Sequence, residues 1–399
     1  MIICAERVIV GDGSTVYLDS GVLVDGDGRI ARVGKAALLK KEHPGEEVVC
    51  YPGSTLLPGL VDMHGHLGHF LSNPPKPVHN DFMMAYLALS HAQTAFSYGV
   101  TAIRDMCSPA NLGVTMNAAA QANYITIPRL FPCGKGICMT GGHGSQMGEG
   151  EAVEEIDTPW ALRIAVRKRI KSGGKWVKIL TSHRTNMPEF TQEELNAAVD
   201  ECHRLGGKIA VHAGTQPSIQ MCIDAGFDTI EHATFMTEHQ AQQMKEKGIA
   251  WIPTILPYTS AYETLRDAGE EARKSADYRY YEAAAAAYRD NFLKLAQTGV
   301  KMAAGTDMVV AGRTETLVAR ELAYMVEYGL TPLEAIRAGT SSGAELLDAQ
   351  EEFGLVKPGL RADLLIVDGD PSLRIEDLRN VRRVFQDGHT VYEKSLLPK

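Results

Sequence analysis

The segment LLPGLVDMHGH, residues 56–66, reads as a short buried strand ending on two histidines, His64 and His66, that stand two residues apart. At a strand end that spacing lets both imidazoles point the same way. Alone, such a pair also fits two ordinary surface or core histidines. Its weight comes from repetition along the chain. Lys178 lies in KWVKIL, His212 in KIAVHAG, His232 in TIEHAT and Asp307 in KMAAGTD, each at or near the carboxyl end of an apolar run. Parallel strands in a closed barrel bring those ends onto one face, so residues far apart in sequence would meet around a single centre.

The middle of the chain alternates strand and helix. After residues 56–66 come VTAIRDM, IPRLFPCG, KWVKIL, KIAVH, TIEHA, WIPTI and KMAAGTD, eight strand candidates in all. Helices are expected over 82–98, near Ala118, over 160–171 and 193–204, from Pro217, near Met244, and through an alanine-rich stretch ending near Gln297. TQEEL and TPLEAI mark helix starts. Eight alternations favour an α/β fold of the (β/α)8 TIM-barrel type over an open sheet. Both flanks differ from the middle: ERVIV, GVLVD and IARVG before it, RADLLIVDG and RRVFQDGHTVYE after it, are short strands broken by turn glycines. Neither flank buries much alone. The expected division is a barrel over 57–352 with one small β-sandwich domain built from 1–56 and 353–399.

With 399 residues, 45% hydrophobic and 22% charged, the chain has the composition of an ordinary globular enzyme. A net charge of -9 argues against non-specific nucleic-acid binding. The one dense basic run, RKRIK (167–171), fits the exposed face of a helix. No apolar stretch is long enough to cross a membrane, and MIICAERVIV lacks the features of a signal peptide. Seven cysteines without a CxxC pair point to reduced thiols in a cytoplasmic protein, with Cys133 and Cys138 as packing residues.

PGLVDMHGH, VKIL, VHAG, IEHATF and AGTD, followed by GLVKPGLRADLLIVDGDP, resemble the amidohydrolase superfamily of metal-dependent hydrolases. Within it the chain is similar to the imidazolonepropionase-related group, which includes prolidase-like dipeptidases and N-acyl-amino-acid hydrolases. The resemblance implies two divalent cations, zinc above all. His64, His66 and Asp307 would hold one, His212 and His232 the other, and a carboxylated Lys178 would bridge them. It implies amide hydrolysis by a hydroxide bridging the two metals, with Asp307 passing the proton to the leaving nitrogen. A dipeptide or N-acyl amino acid is the expected small-molecule substrate. The alternative is opening of a cyclic amide such as an imidazolone or hydantoin-like ring, and a catalytically silent metal-binding protein is the third reading. Nothing in the sequence decides whether the chain is a homo-oligomer.

The residues themselves agree with the bridging role. Alternation puts Trp176, Lys178 and Leu180 on one face of a strand expected to be buried on both, where an unpaired ammonium fits poorly. Near dications the neutral amine is favoured and can react with CO₂. Lys175 could compete for the role.

TGGHG (140–144) follows the third strand, and His143 could hydrogen-bond a developing oxyanion. Relatives with peptidase activity carry a similar histidine, often followed by an acidic residue where this chain has Ser145 and Gln146. His183, Arg184, Tyr258 and Arg313 sit where substrate-facing loops are expected, Arg313 as a bidentate carboxylate binder. His69 is given no ligand role. His43, His79, His91, His203, His239 and His389 are read as surface residues, and Trp251 as packing.

Overall fold

A computed structural model describes residues 1–68, 81–147, 152–307 and 317–394. Its strands follow in chain order: β1 (Ile2–Ile9), β2 (Val16–Val24), β3 (Ile30–Lys35), β4 (Val48–Pro58), β5 (Leu60–Gly65), β6 (Val100–Asp105), β7 (Arg129–Leu130), β8 (Gly136–Cys138), β9 (Val153–Glu155), β10 (Trp176–Leu180), β11 (Lys208–Ala213), β12 (Thr229–His232), β13 (Ala250–Ile252), β14 (Leu364–Asp368), β15 (Val381–Gln386) and β16 (His389–Glu393).

The two ends of the chain meet in one seven-stranded sheet of order β16-β15-β14-β4-β1-β2-β3. The joint is the antiparallel pair β4–β14, which sets Leu57 opposite Leu365 and Leu56 opposite Ile366. Ile3, Val8, Val22, Ile30, Leu56, Leu364, Ile366 and Phe385 form its apolar cluster and are sealed from solvent. The parallel pair β1–β4 puts Cys4 directly opposite Cys50. They are joined in a disulfide with a Cα–Cα distance of 4.5 Å. This corrects the expectation of reduced thiols throughout: no spacing motif links residues 46 apart, and only the register brings them together. Cys133 and Cys138 are buried free thiols, as packing residues should be.

The middle of the chain forms parallel sheets of order β5-β6-β7 and β13-β12-β11-β10-β8-β9. The third expected strand, 127–134, is short: it pairs with β6 at Arg129–Leu130, continued by the bond from the Cys133 amide to the Asp105 carbonyl, and a separate strand beyond it, β8, pairs with β10 at Ile137 and Ile179. The eighth, residues 301–307, is reduced to one bridge between Trp251 and Met302. It changes partner along its length: the Trp251 amide donates to the Lys301 carbonyl, Met63 to Ala304, and Asp307 to His64. Alternation separates two cores. Val177, Ile179, Ile209, Val211 and Ile230 pack against the helices. Trp176 and Ala210 instead join Val61, Met63, Ala102, Ile252 and Ala303 on the other face.

Helices fall where the periodicity puts them, over Asp81–Ser97, Pro159–Lys171, Gln192–Arg204 and Ala276–Gln297 among others. Thr191 with Glu194 and Thr331 with Glu334 form reciprocal capping boxes, which satisfy amides that the first turn leaves open. A helix over Ile255–Asp267, directly after β13, was not anticipated. Within RKRIK, Arg169 is buried rather than solvated, because its guanidinium reaches Glu154 at 2.8 Å and the Lys135 carbonyl at 2.7 Å. No described helix is long and apolar enough to cross a membrane.

Asp363 ties the terminal sheet to β7: it accepts from Arg129 Nε at 2.7 Å and Nη2 at 3.1 Å, and from the Asp387 amide. Both side chains are largely buried, and Asp363→Ala would leave the Arg129 guanidinium with Asp387 alone, 2.7 Å from Nη2. The expected cost is about 2 kcal/mol in urea unfolding; an unchanged midpoint would show the tie to be idle.

Candidate metal centre

The predicted ligands converge at the carboxyl ends of the parallel strands. His64 lies at the end of β5 and His66 just past it, and both their Nε2 atoms face Asp307 Oδ1, at 3.2 and 3.0 Å. Their ligand atoms and that of Asp307 lie within 4.8 Å of one another. His232, at the end of β12, has its ring 5.0 Å from that of His64 and 4.3 Å from that of His212. His212 forms a second close group with His143 and His183. His143 and His183 stack at 4.4 Å with planes 12° apart.

Backbone geometry aims these groups. Alternation along β12 would turn His232 to the side of Ile230, which faces the helices. A left-handed φ of +65° re-aims it. Asp307 has φ +51°. Neither is glycine, so both positions are strained, a pattern that concentrates at functional sites. The surroundings hold them in place. Trp251 Nε1 and the Tyr288 hydroxyl donate to the His232 carbonyl, His232 Nδ1 meets Thr254 Oγ1 at 2.6 Å, and the Asp307 amide donates to the His64 carbonyl at 2.7 Å. Trp251 thus packs as expected and also braces His232.

Lys178 is fully buried, and among the described residues its Nζ has no hydrogen-bond partner. Burial lowers its pKa, with Glu231, Cys107 and Asp307 pulling the other way. Lys175 is exposed and out of contention. Burial also holds the His212 and His232 imidazoles far below their usual range, so both are neutral and keep a lone pair for a cation. His143 is pushed down to about 4 and His183 to about 3, again chiefly by burial. Burial disfavours the Asp307 carboxylate, but His64, with the hydrogen bonds from His64 and His66, outweighs it and holds the group well below the usual carboxylate range.

Several residues lie elsewhere than expected. Tyr258 is on the unanticipated helix, not a loop, and is buried with its ring 5.7 Å from His232 and 6.0 Å from His183. Arg184 does lie in the loop after β10, where its guanidinium pairs with Asp277 and stands 4.5 Å from the centre of the Tyr280 ring. His91 is buried in its helix rather than on the surface. Arg313, His69 and His79 lie outside the described residues.

Three charged residues went unread in the sequence. Glu231 precedes His232, is fully buried, and accepts from both His64 Nδ1 (2.7 Å) and Arg104 Nη2 (2.8 Å). Burial disfavours its charge, but Arg104 outweighs that and the carboxyl sits well below the usual range. Arg104 also donates to Thr229 Oγ1 and the Met63 carbonyl and stacks 4.5 Å from Trp176. Glu189 accepts from the His143 amide at 3.0 Å. A charged residue inside each of the runs VTAIRDM and TIEHA was the available signal for the first two.

Residues 55–391 match the model of the amidohydrolase family. The chain belongs to the amidohydrolase family. This amidohydrolase is 28% identical to ochratoxinase of Aspergillus niger over 98% of its own length and 84% of that protein. It is 23% identical to imidazolonepropionase of Salinispora arenicola, over 92% and 90% of the two chains. Among solved structures it resembles a Xaa-Pro dipeptidase with methionine bound in the active site, at 30% identity and a TM-score of 0.85, covering 98% of this chain and 99% of that one. It is therefore a hydrolase. The donor set fits the divalent cations of the family: neutral imidazoles, an ionised carboxylate, and a buried amine that lacks a partner.

Glu231 fixes which His64 nitrogen carries the proton, so that Nε2 is left to bind. Glu231→Gln should weaken zinc binding about 10–100-fold in a chelator-competition titration. Unchanged affinity in a folded variant would mean that the contact does not orient His64.

Proposed function

We propose that this amidohydrolase is a two-cation amide hydrolase acting on dipeptides or N-acyl amino acids. The observation that carries the reading is the buried Lys178 amine, without a hydrogen-bond partner among the described residues and set near His212, His232 and Asp307. A buried ammonium without a partner is costly, whereas the neutral amine can take up CO₂ and become an anionic oxygen donor. In this reading His64, His66 and Asp307 hold one cation, His212 and His232 the other, and the Lys178 carbamate bridges them. The cations, zinc by the imidazole-rich donor set, would supply Lewis acidity and lower the pKa of water.

The chain's own groups supply the rest. Asp307 accepts the proton of the attacking water and passes it to the leaving nitrogen. His143, neutral at working pH, donates an N–H to the oxygen that gains charge as the carbonyl is attacked. Glu189 holds the amide of His143, and Tyr258 and Tyr280 wall the histidines on one side. The Xaa-Pro dipeptidase among the similar structures favours a peptide-like amide over a ring. We read the parallel strands as a closed eight-stranded barrel over 57–352. The hydrogen bonds from residues 301–307 to both β13 and β5 support closure. Residues 1–56 and 353–399 form the second, sandwich-like domain in this reading.

The test is amine release from dipeptide and N-acyl amino acid libraries, with zinc-loaded protein in bicarbonate buffer. Selective turnover of one carboxyl-terminal class supports the reading; none, with metal present, moves it to cyclic amides. Lys178→Ala should lose one equivalent of metal and nearly all activity, with partial rescue by a short carboxylic acid. Two equivalents retained in that variant would refute the bridge. Asp307→Asn should abolish turnover while keeping much of the metal, and near-normal turnover would remove its proton-transfer role.

A further inference from the structure

The helix over Ile255–Asp267 starts differently from those that follow Thr191, Thr237 and Thr331. Those three threonines are extended, with φ of -75°, -92° and -70°, and each side chain accepts from an amide of its own helix. Thr254 stands in the same place but has φ +48° and makes no such bond. Its hydroxyl is turned instead to His232 Nδ1, 2.6 Å away. We propose that Glu321 is a positioning residue for His232: it caps this helix in place of Thr254, and so leaves the Thr254 hydroxyl to hold the imidazole. What this does for metal binding rests on the two-cation reading above.

Glu321 lies on the helix Leu317–Glu327 and is sealed from solvent. Its Oε1 accepts from the Ile255 amide at 2.9 Å and its Oε2 from the Leu256 amide at 2.7 Å. These are the first two amides of the helix, donors that the helix itself leaves open. One carboxyl from a distant segment thus does what the N-cap side chain does elsewhere. Its burial is tolerable because both oxygens are used, at a helix end whose dipole favours negative charge.

The path from Glu321 to His232 is short. Thr254 adjoins Ile255, and the Tyr288 hydroxyl bridges the carbonyls of Pro253 and His232, at 2.7 and 3.1 Å. Tyr258, one turn into the helix, sets its ring 5.7 Å from that of His232. With Nδ1 held by Thr254, Nε2 is the nitrogen that His232 keeps for a cation, as outer partners orient metal-bound imidazoles generally. Without Glu321 the open amides would compete for the Thr254 oxygen. Turning Thr254 to extended backbone would then relieve its strain and restore an ordinary cap, at the expense of His232.

The experiment compares wild type, Glu321→Ala, Glu321→Gln, Thr254→Val and the double variant Thr254→Val with Glu321→Ala. Nitrogen NMR of labelled histidine in metal-free protein should show His232 fixed in one tautomer in wild type. Glu321→Ala should move its two nitrogens toward the average of both tautomers. Glu321→Gln should move them less, since its amide oxygen still accepts from one amide, and it keeps the test alive should the alanine variant not fold. In chelator competition the second zinc equivalent should weaken about 10-fold in Glu321→Ala, the lower end of what loss of an outer partner costs, with the first unchanged. Adding Glu321→Ala to Thr254→Val should weaken it no further. Asp363→Ala, destabilised at the junction with the terminal sheet, is the control and should leave the His232 signals in place. His232 nitrogens unmoved in a folded Glu321 variant, additive effects in the double variant, or an equal shift in Asp363→Ala would overturn the proposal. Wild type that retains one zinc equivalent would remove the two-cation reading, and the His232 signals would still decide for or against Glu321.

Discussion

A lysine amine buried among strand ends, with no hydrogen-bond acceptor among the described residues, is the constraint around which the rest of this centre is arranged. Leaving it as an isolated ammonium would cost several kcal/mol, so it must shed its proton, find an anion or be chemically altered. Glu231 is too committed to serve as its acceptor, being held by Arg104 and His64. Asp307 is likewise held by His64 and His66. A carbamate bridging two cations would resolve the conflict, which is why Lys178 anchors the proposed function.

Beneath the ligands lies a rigid polar floor. Arg104 and Glu231 are both fully buried, which is tolerable only because each is saturated with partners: Glu231 by Arg104, His64 and Thr229, and Arg104 by Glu231, Thr229 and the Met63 carbonyl. Asp62 does the same for the segment that carries Asp307, accepting from the amides of His64 and Thr306 and from the Thr306 hydroxyl. These contacts let His232 and Asp307 keep backbone conformations that non-glycine residues otherwise avoid. Function here draws on packing energy supplied by neighbouring strands.

Much of this was legible in residue order. HxH, Lys178, His212, His232 and Asp307 stand out because strand ends repeat one chemistry, and the structure brings them together. The capping boxes were legible because four-residue signals are local. What was not legible depends on register. Cys4 and Cys50 become partners only once β1 lies beside β4. His183 was read as a substrate-facing loop residue and lies in the loop after β10, but its closeness to His212 follows from how β10 sets against β11. Tyr258 was misplaced because the helix begins after Thr254 without the usual side-chain cap, and the left-handed φ of +48° at that residue is not visible in its type. Arg104 and Glu231 could have been found, since a charge inside an apolar strand demands a partner.

The central claim concerns Lys178, and the most direct measurement is carbon NMR of zinc-loaded protein prepared in isotopically labelled bicarbonate, with metal counted on the same sample. The account predicts one carbamate carbon per chain, two zinc ions, and loss of the signal when metal is chelated. A single zinc with no carbamate carbon would contradict it.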